Sequence, residues 1–246
     1  MPHPTAVICL PTYNERDNLP LMVQAVHAVV PELHILVIDD NSPDGTGQLA
    51  DEIAAKDPRV FVMHREKKQG LGRAYVAGFK WALQRDYELV FEMDCDFSHR
   101  PEHLPEFLVM AETCDVVLGS RYIPGGSTQD WGWKRRFISK GGNTYARAIL
   151  GLPFKDLTGG FKCFHRKVLQ TLPLDQILSN GYVFQVELTY RSLLLGFRIG
   201  EVPIQFPDRT RGESKMSGSI FTEAMKNVLK LRLAKGRLKS ERQDTP

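Results

Sequence analysis

Asp94 and Asp96 stand one residue apart, with Cys95 between them, just beyond the apolar run Leu89-Val90-Phe91. Two carboxylates at the end of a buried strand repel each other and lose hydration unless a cation lies between them. An all-oxygen pair suits a hard divalent ion. Mg²⁺ in particular is held by one or two carboxylates together with substrate phosphates. The pair is therefore read as a site for Mg²⁺ or Mn²⁺ and a diphosphate. The competing reading is a solvated pair in a turn, and the other polar clusters favour the first.

Two such clusters also follow apolar runs. Pro11-Thr12-Tyr13-Asn14-Glu15 closes the first run, and Pro11 fixes the backbone as the chain leaves it. Tyr13 offers a flat face to a base, and Glu15 offers acceptors to base or ribose donors. The alternative is a capped helix start with Asn14 or Asp17 as N-cap. After the second run comes Asp39-Asp40-Asn41-Ser42-Pro43-Asp44-Gly45-Thr46. An acid at this place is the usual partner of a ribose or base in nucleotide-binding α/β folds. Asp40 is assigned the ligand contact and Asp39 a structural role, while Asp44 serves equally as a turn residue or helix cap. Gly70-Leu71-Gly72 begins like a dinucleotide fingerprint, but Tyr75 occupies the third glycine position and the segment follows the third strand. It is read as a tight helix start.

The elements that must position these groups alternate. Strand-like runs at 6–10, 35–38, 60–63, 89–91 and 116–118 are separated by helical patterns near 17–30, 46–56, 71–85 and 101–112. This is the pattern of βαβ units, a mainly parallel sheet flanked by helices, with ligands bound beyond the carboxyl ends of the strands. The second half is less regular. Trp131, Trp133, Phe137 and Ile138 stand among Lys134, Arg135, Arg136 and Lys140 in a segment near 131–150. A pair of short strand-like pieces surrounds Thr158-Gly159-Gly160-Phe161, a helix is expected over 183–195 and a strand near 199–204. Residues 207–219 read as a mobile loop, and the tail from Phe221 as a basic helix. The division is a catalytic domain over 1–218 and a basic amphipathic C-terminal helix and tail over 219–246.

Bulk properties exclude more than they select. The chain has 246 residues, 42% hydrophobic and 25% charged, with a net charge of +3. That is an ordinary globular composition with no bulk signal for nucleic acid. Cys9, Cys95, Cys114 and Cys163 form no Cys-x-x-Cys pair and read as small core hydrophobes in a reducing compartment. A catalytic thiol at Cys95 is the minor alternative. Met1-Pro2-His3-Pro4 leads straight into a strand, unlike a signal peptide, and no apolar run approaches the roughly 18–20 residues of a membrane span. The expected location is cytoplasmic, with peripheral attachment to the cytoplasmic face of a membrane.

Seven motifs then occur in order: Pro-Thr-Tyr-Asn-Glu, Ile-Asp-Asp-Asn-Ser-Pro-Asp-Gly-Thr, Gly-Leu-Gly-x-Ala-Tyr, Asp-x-Asp-x-Ser-His-x-Pro-Glu, Gly-Ser-Arg-Tyr, Thr-Gly-Gly-Phe-Lys and Arg-x-x-Gly-x-Ser-Lys. Over roughly residues 5–235 the chain resembles the dolichyl-phosphate (polyprenol-phosphate) mannose synthases, which are family-two glycosyltransferases. The resemblance implies a GT-A fold, a GDP-mannose donor, a divalent metal and a polyprenyl or dolichyl phosphate acceptor. It places nucleoside contacts on Pro11, Tyr13, Glu15, Ile38 and Asp40. It places the metal and diphosphate on Asp94, the Cys95 backbone and Asp96, with Ser98 where archaeal relatives carry a glutamine ligand. Arg121, Arg209 and Lys215 match positions that neutralise phosphates, and Arg135 and Ser139 match those that hold the acceptor phosphate. The resemblance leaves open a separate membrane-anchoring subunit.

The chemistry is arguable from the residues as well. Asp96 with its metal, aided by Lys215 and Arg209 on a Gly/Ser-flanked lid, would stabilise the departing diphosphate. A phosphate monoester is already anionic at neutral pH and needs orientation, not a general base. Arg121, Arg135 and Ser139 suit that task. Glu187 is the nearest base candidate and reads better as a packed helix residue. Trp131, Trp133 and Phe137, with the basic residues beside them, would seat an interfacial helix at a membrane surface. Phe221, Met225, Val228 and Leu229 form a second apolar stripe, read equally as an anchor or as a helix packed on the domain. A UDP-glucose-dependent polyprenyl-phosphate glucosyltransferase and a non-catalytic nucleotide-sugar-binding protein stay as alternatives. A nicotinamide oxidoreductase is opposed by Tyr75 and by the lack of a glycine fingerprint after the first strand.

Overall fold

The computed structural model describes residues 5–128, 131–177, 179, 181–207 and 218–240. β1 (Ala6–Thr12), α1 (Leu19–Val29), β2 (His34–Asp39), α2 (Thr46–Ala54), β3 (Val60–His64), α3 (Leu71–Leu83) and β4 (Leu89–Glu92) alternate as the sequence pattern requires. A 3₁₀ turn over Pro101–His103 leads into α4 (Leu104–Ala111), then β5 (Val116–Ser120), α5 (Trp133–Leu150), β6 (Lys162–His165) and α6 (Arg166–Thr171). The chain continues through α7 (Tyr182–Leu194), β7 (Ile199–Pro203), α8 (Gly218–Leu233) and α9 (Lys235–Ser240).

The strands form one sheet in the order β3-β2-β1-β4-β6-β5-β7. β3, β2, β1 and β4 are mutually parallel, and β7 is parallel to β5. β6 alone runs antiparallel to its neighbours β4 and β5, so β5 points the same way as β4. Chain order reverses beside β1, which lies between β2 and β4, and a ligand crevice belongs at such a switch point.

Both faces of the sheet are covered, so the strands are continuous apolar runs rather than alternating ones. Within each strand the two-residue repeat still divides the side chains. Ile8, Leu10, Ile35, Val37, Leu89 and Phe91 enter one core with α1 and α4. Val7, Cys9, Leu36, Ile38 and Val90 enter the other with α3 and α7. A third core joins α5, α7, α8 and α9 through Ala146, Leu150, Val186, Tyr190, Val228 and Leu231.

Two expectations are corrected. One strand, β6, stands where two short pieces were expected around residues 158–161. The backbone before it leaves the sheet because the Leu157 and Thr158 N–H groups donate to Asn143 Oδ1 on α5. Trp131 does not face outward. It is 7% exposed and packs edge-on against Phe206, whereas Trp133 and Phe137 are each 75% exposed. Val228 also turns inward, into the third core, and Tyr145 Oη donates to the Met225 carbonyl. α8 thus packs on the domain, with Lys226, Leu229, Lys230, Arg232 and Leu233 on its exposed side. The expected loop over 207–219, apart from Pro207, Gly218 and Ser219, lies outside the described residues.

Candidate active site

The polar clusters meet at the carboxyl edge of β1, β2 and β4. Asp39 knits the first two together. It accepts from Thr12 Oγ1 at 3.1 Å, Ser42 N at 3.0 Å and Ser42 Oγ at 2.6 Å. The Asn14 N–H in turn donates to Ser42 Oγ, and the Glu15 N–H to Thr46 Oγ1. Asp39 therefore builds the loops, as its assignment from sequence required. Asp44 accepts from Thr46 N and Oγ1, which ties the turn before α2 to the first residue of the helix.

Asp40 pairs with the Arg65 guanidinium at the end of β3. Burial lifts its carboxyl above the ordinary value against the pull of Arg65. Tyr13 is partly exposed, and Lys68 Nζ lies 3.7 Å from its ring centroid. Glu15 Oε2 accepts from Asn18 Nδ2 at 2.7 Å. Tyr13, Glu15, Asp40, Arg65 and Lys68 thus form one polar corner beside Pro11. Ile38 does not join it. The side-chain alternation of β2 sends its side chain beneath α3, where it is 0% exposed.

The β4 corner is held from three sides. Tyr75 Oη donates to Asp94 Oδ1 at 3.0 Å. The Asp94 N–H donates to His99 Nδ1 at 2.9 Å, and His99 stacks on Phe161. Ser98 donates to Asp96 Oδ1 through both its N–H, at 3.0 Å, and its hydroxyl. With its hydroxyl and its N–H both donated to Asp96, the buried Ser98 supports that carboxylate. Asn14, Asn41 and Phe97 are the non-glycine residues with positive φ among those described, at 62°, 58° and 60°. They sit just beyond β1, β2 and β4, and strain of this kind gathers where a site must be held in shape.

A divalent ion fits this corner by its donor set: two carboxylates on one short loop, all oxygen. Among the described residues no group of three or more His, Cys, Asp or Glu closes a full shell. An ion completed by substrate phosphates needs no such closed shell. Cys95 is buried, and desolvation, followed by the charges of Glu15, Asp96 and Asp94, raises its thiol well above the ordinary value. It is no poised nucleophile.

The third corner lies at the end of β5. Arg121 makes a bidentate pair with Asp156, Nε to Oδ2 at 2.6 Å and Nη2 to Oδ1 at 2.7 Å, and Nη2 also reaches Thr158 Oγ1. Burial opposes both charges, but each more than restores the other. Arg135 stacks over Trp131 at 3.9 Å, and Arg121 approaches the same indole at 5.4 Å. Tyr122 Oη donates to Ser139 Oγ at 2.7 Å, and Asn143 Nδ2 ties the Ser139 carbonyl to Thr158. Arg121, Arg135 and Ser139 are thus gathered as expected. Phe206, against which both His99 and Arg121 pack, joins this corner to that of β4. Arg209 and Lys215 lie outside the described residues.

Glu187 accepts from Arg191 Nε at 2.8 Å and from the Ser179 hydroxyl, so the packed-residue reading holds. Sequence reasoning missed Tyr75, His99, Arg65, Tyr122, Asn143 and Asp156 as members of the site. Two carried a usable signal: Tyr75 replaces an expected glycine, and His99 lies within the Asp-x-Asp-x-Ser-His motif.

The glycosyl transferase family 2 profile matches residues 7–172. Polyprenol monophosphomannose synthase of Mycolicibacterium smegmatis is 51% identical over 229 residues, covering 92% of this chain and 86% of that protein. Undecaprenyl-phosphate mannosyltransferase of Micrococcus luteus is 50% identical over 225 residues, covering 92% of this chain and 93% of that protein. Among solved structures, glucosyl-3-phosphoglycerate synthase of Mycobacterium tuberculosis, in complex with Mn²⁺, UDP-glucose and phosphoglyceric acid, superposes with a TM-score of 0.63. It is 18% identical, with 94% of this chain and 79% of that one covered, and it shows the shared GT-A fold.

Proposed function

The chain belongs to glycosyl transferase family 2, and from that premise we propose that it transfers mannose from GDP-mannose to a polyprenyl monophosphate, giving polyprenyl β-D-mannosyl phosphate and GDP. The names of the two relatives near 50% identity support the sugar and the acceptor. One structural observation supports an acceptor that is already an anion. Among the described residues, Asp156 behind the β5 corner is engaged by Arg121, and Glu187 on α7 by Arg191 and Ser179, while Arg135, Tyr122 and Ser139 gather at that corner. Among the described residues, such a pocket offers donors and positive charge rather than a base.

In this reading Tyr13, Glu15 and Asp40 hold the nucleoside, and Asp94 and Asp96 face its diphosphate. A divalent ion held by Asp94 and Asp96, when bound, supplies Lewis-acid stabilisation of the negative charge on that diphosphate. Arg135, Ser139 and Arg121 orient the acceptor phosphate, and Arg209 and Lys215 add cations on the donor side. A phosphate oxygen forms the new bond to the anomeric carbon as the bond to the diphosphate oxygen breaks. GDP leaves with the electron pair and the centre inverts. No proton has to be removed, because the second pKa of a phosphate monoester is about 6. Among the described residues no helix is long and apolar enough to cross a membrane. Trp133 and Phe137, one turn apart on α5 beside Lys134, Arg136 and Lys140, suit peripheral contact with the cytoplasmic face where the lipid emerges.

The test is a donor-by-acceptor matrix. Labelled GDP-mannose and UDP-glucose are each offered with and without polyprenyl phosphate, in Mn²⁺ or in EDTA. Label should enter lipid only from GDP-mannose with metal present, and Asp96→Ala should abolish it. Transfer from UDP-glucose alone, or unchanged turnover of Asp96→Ala across metal concentrations, refutes the reading.

A further inference from the structure

Tyr75 is 0% exposed, and its ring lies between two others: Phe79, with centroids 6.2 Å apart, and Phe184, at 6.3 Å and nearly coplanar at 8°. A phenol in this setting buries a polar group and needs a partner. Its partner is Asp94 Oδ1, across 19 residues of sequence. A carboxylate oxygen only accepts, so the phenol is the donor in this contact.

The ring is fixed from behind. Phe184 comes from α7 and reaches Tyr75 only because position 72 has no side chain. A Cβ there would stand 2.8 Å from Phe184 Cδ2 and 3.2 Å from the Ser179 carbonyl. The lead-in to α7 is fastened to the helix by the Ser179 hydroxyl, which donates to Glu187. Gly72, Phe184, Tyr75 and Asp94 therefore form a continuous line from the third helix to the acidic loop. A role in packing alone would be served by phenylalanine, as at positions 79 and 184 on either side. The hydroxyl is the part that packing does not require.

We propose that Tyr75 is a positioning residue for divalent-ion capture: its hydroxyl occupies one oxygen of Asp94 and thereby commits the other to the cation. The inference rests on the metal reading of Asp94 and Asp96 above and adds a residue that touches neither ion nor substrate. Partners of metal ligands act in this way by fixing ligand orientation, and their removal costs about 10–100-fold in metal affinity.

The experiment measures Mn²⁺ binding directly, by the electron paramagnetic resonance signal of free Mn²⁺, on the full chain in the presence of GDP. Tyr75→Phe should weaken binding by about 10–100-fold while circular dichroism and melting temperature stay close to those of the parent. On an Asp94→Asn background the same change should have no further effect, since the two act as one unit. Phe184→Leu, which keeps the hydroxyl but loses the stacked ring, should give a smaller loss in the same direction. Unchanged Mn²⁺ affinity in Tyr75→Phe, or a loss that persists in full on the Asp94→Asn background, overturns the proposal. A parent chain that takes up no Mn²⁺ with GDP overturns instead the metal reading on which it stands.

Discussion

Arg135 and Arg121 both border the Trp131 indole, yet their electrostatic situations differ. Arg121 is buried in a bidentate pair with Asp156, and Arg135 is half-buried over the ring. Arg135→Ala is therefore expected to raise the KM for polyprenyl phosphate about tenfold or more, the loss of one charge-assisted hydrogen bond. The KM for GDP-mannose and the melting temperature should change little, and steady-state kinetics with each substrate varied checks this. A second residue-scale prediction concerns acid. Burial would raise the Asp115 carboxyl, but Lys167 and the Arg198 backbone and side chain outweigh it and hold it at about 2, below the ordinary 3.8. A carboxyl lowered in the folded state binds its proton more readily when unfolded. The stability it contributes is thus present above about pH 4 and lost as pH falls toward 2. Melting curves over that window should shift less in Asp115→Asn than in the parent.

At the scale of elements, the close approach of α3 to the sheet sets the architecture of the site. Gly78 faces β1 and β2, and a Cβ there would lie 2.7 Å from both Cys9 Sγ and Ile38 Cδ1. Gly78→Ala should cost about 1–3 kcal/mol through overpacking, read as a lower urea midpoint with an unchanged slope. The same approach puts Tyr75 within reach of Asp94, so part of the stability lost should reappear as weaker metal dependence. β4 and β6 meet this layer from the other side. Glu92 and Lys162 are register partners buried beneath the acidic loop, and Lys162 Nζ is capped by the Gln185 carbonyl and Thr189 Oγ1. Burial raises the first and lowers the second, and their mutual attraction opposes both shifts. A pair this deep serves the fixed placement of the strand ends more than net stability.

At the scale of the whole molecule, one end of the sheet carries the described part of the candidate site, and α5 presents Trp133 and Phe137 to solvent. Replacing both with serine should abolish sedimentation with anionic liposomes, each side chain contributing about 1.5–3 kcal/mol of apolar burial. Transfer to a short, water-soluble prenyl phosphate should persist. The strands through β5 and the helices between them are legible in the sequence because buried parallel strands and amphipathic crossovers impose opposite periodicities. The ligand clusters are legible because polar residues directly after apolar runs must stand at strand ends. Asp39, Asp40, Asp94 and Asp96 are placed by that rule alone.

The sequence alone thus determined the α/β class, the edge of the sheet at which the polar clusters gather, and the family. These depend on local pattern and ordered motifs. Tertiary structure decided which of those residues face the crevice and which face the core. It turned Ile38, Trp131 and Val228 inward, made Ser98 a support for Asp96, and joined Tyr75 to Asp94 and Arg121 to Asp156 across 19 and 35 residues. Such pairings depend on strand register and helix approach, quantities that no local run of residues encodes.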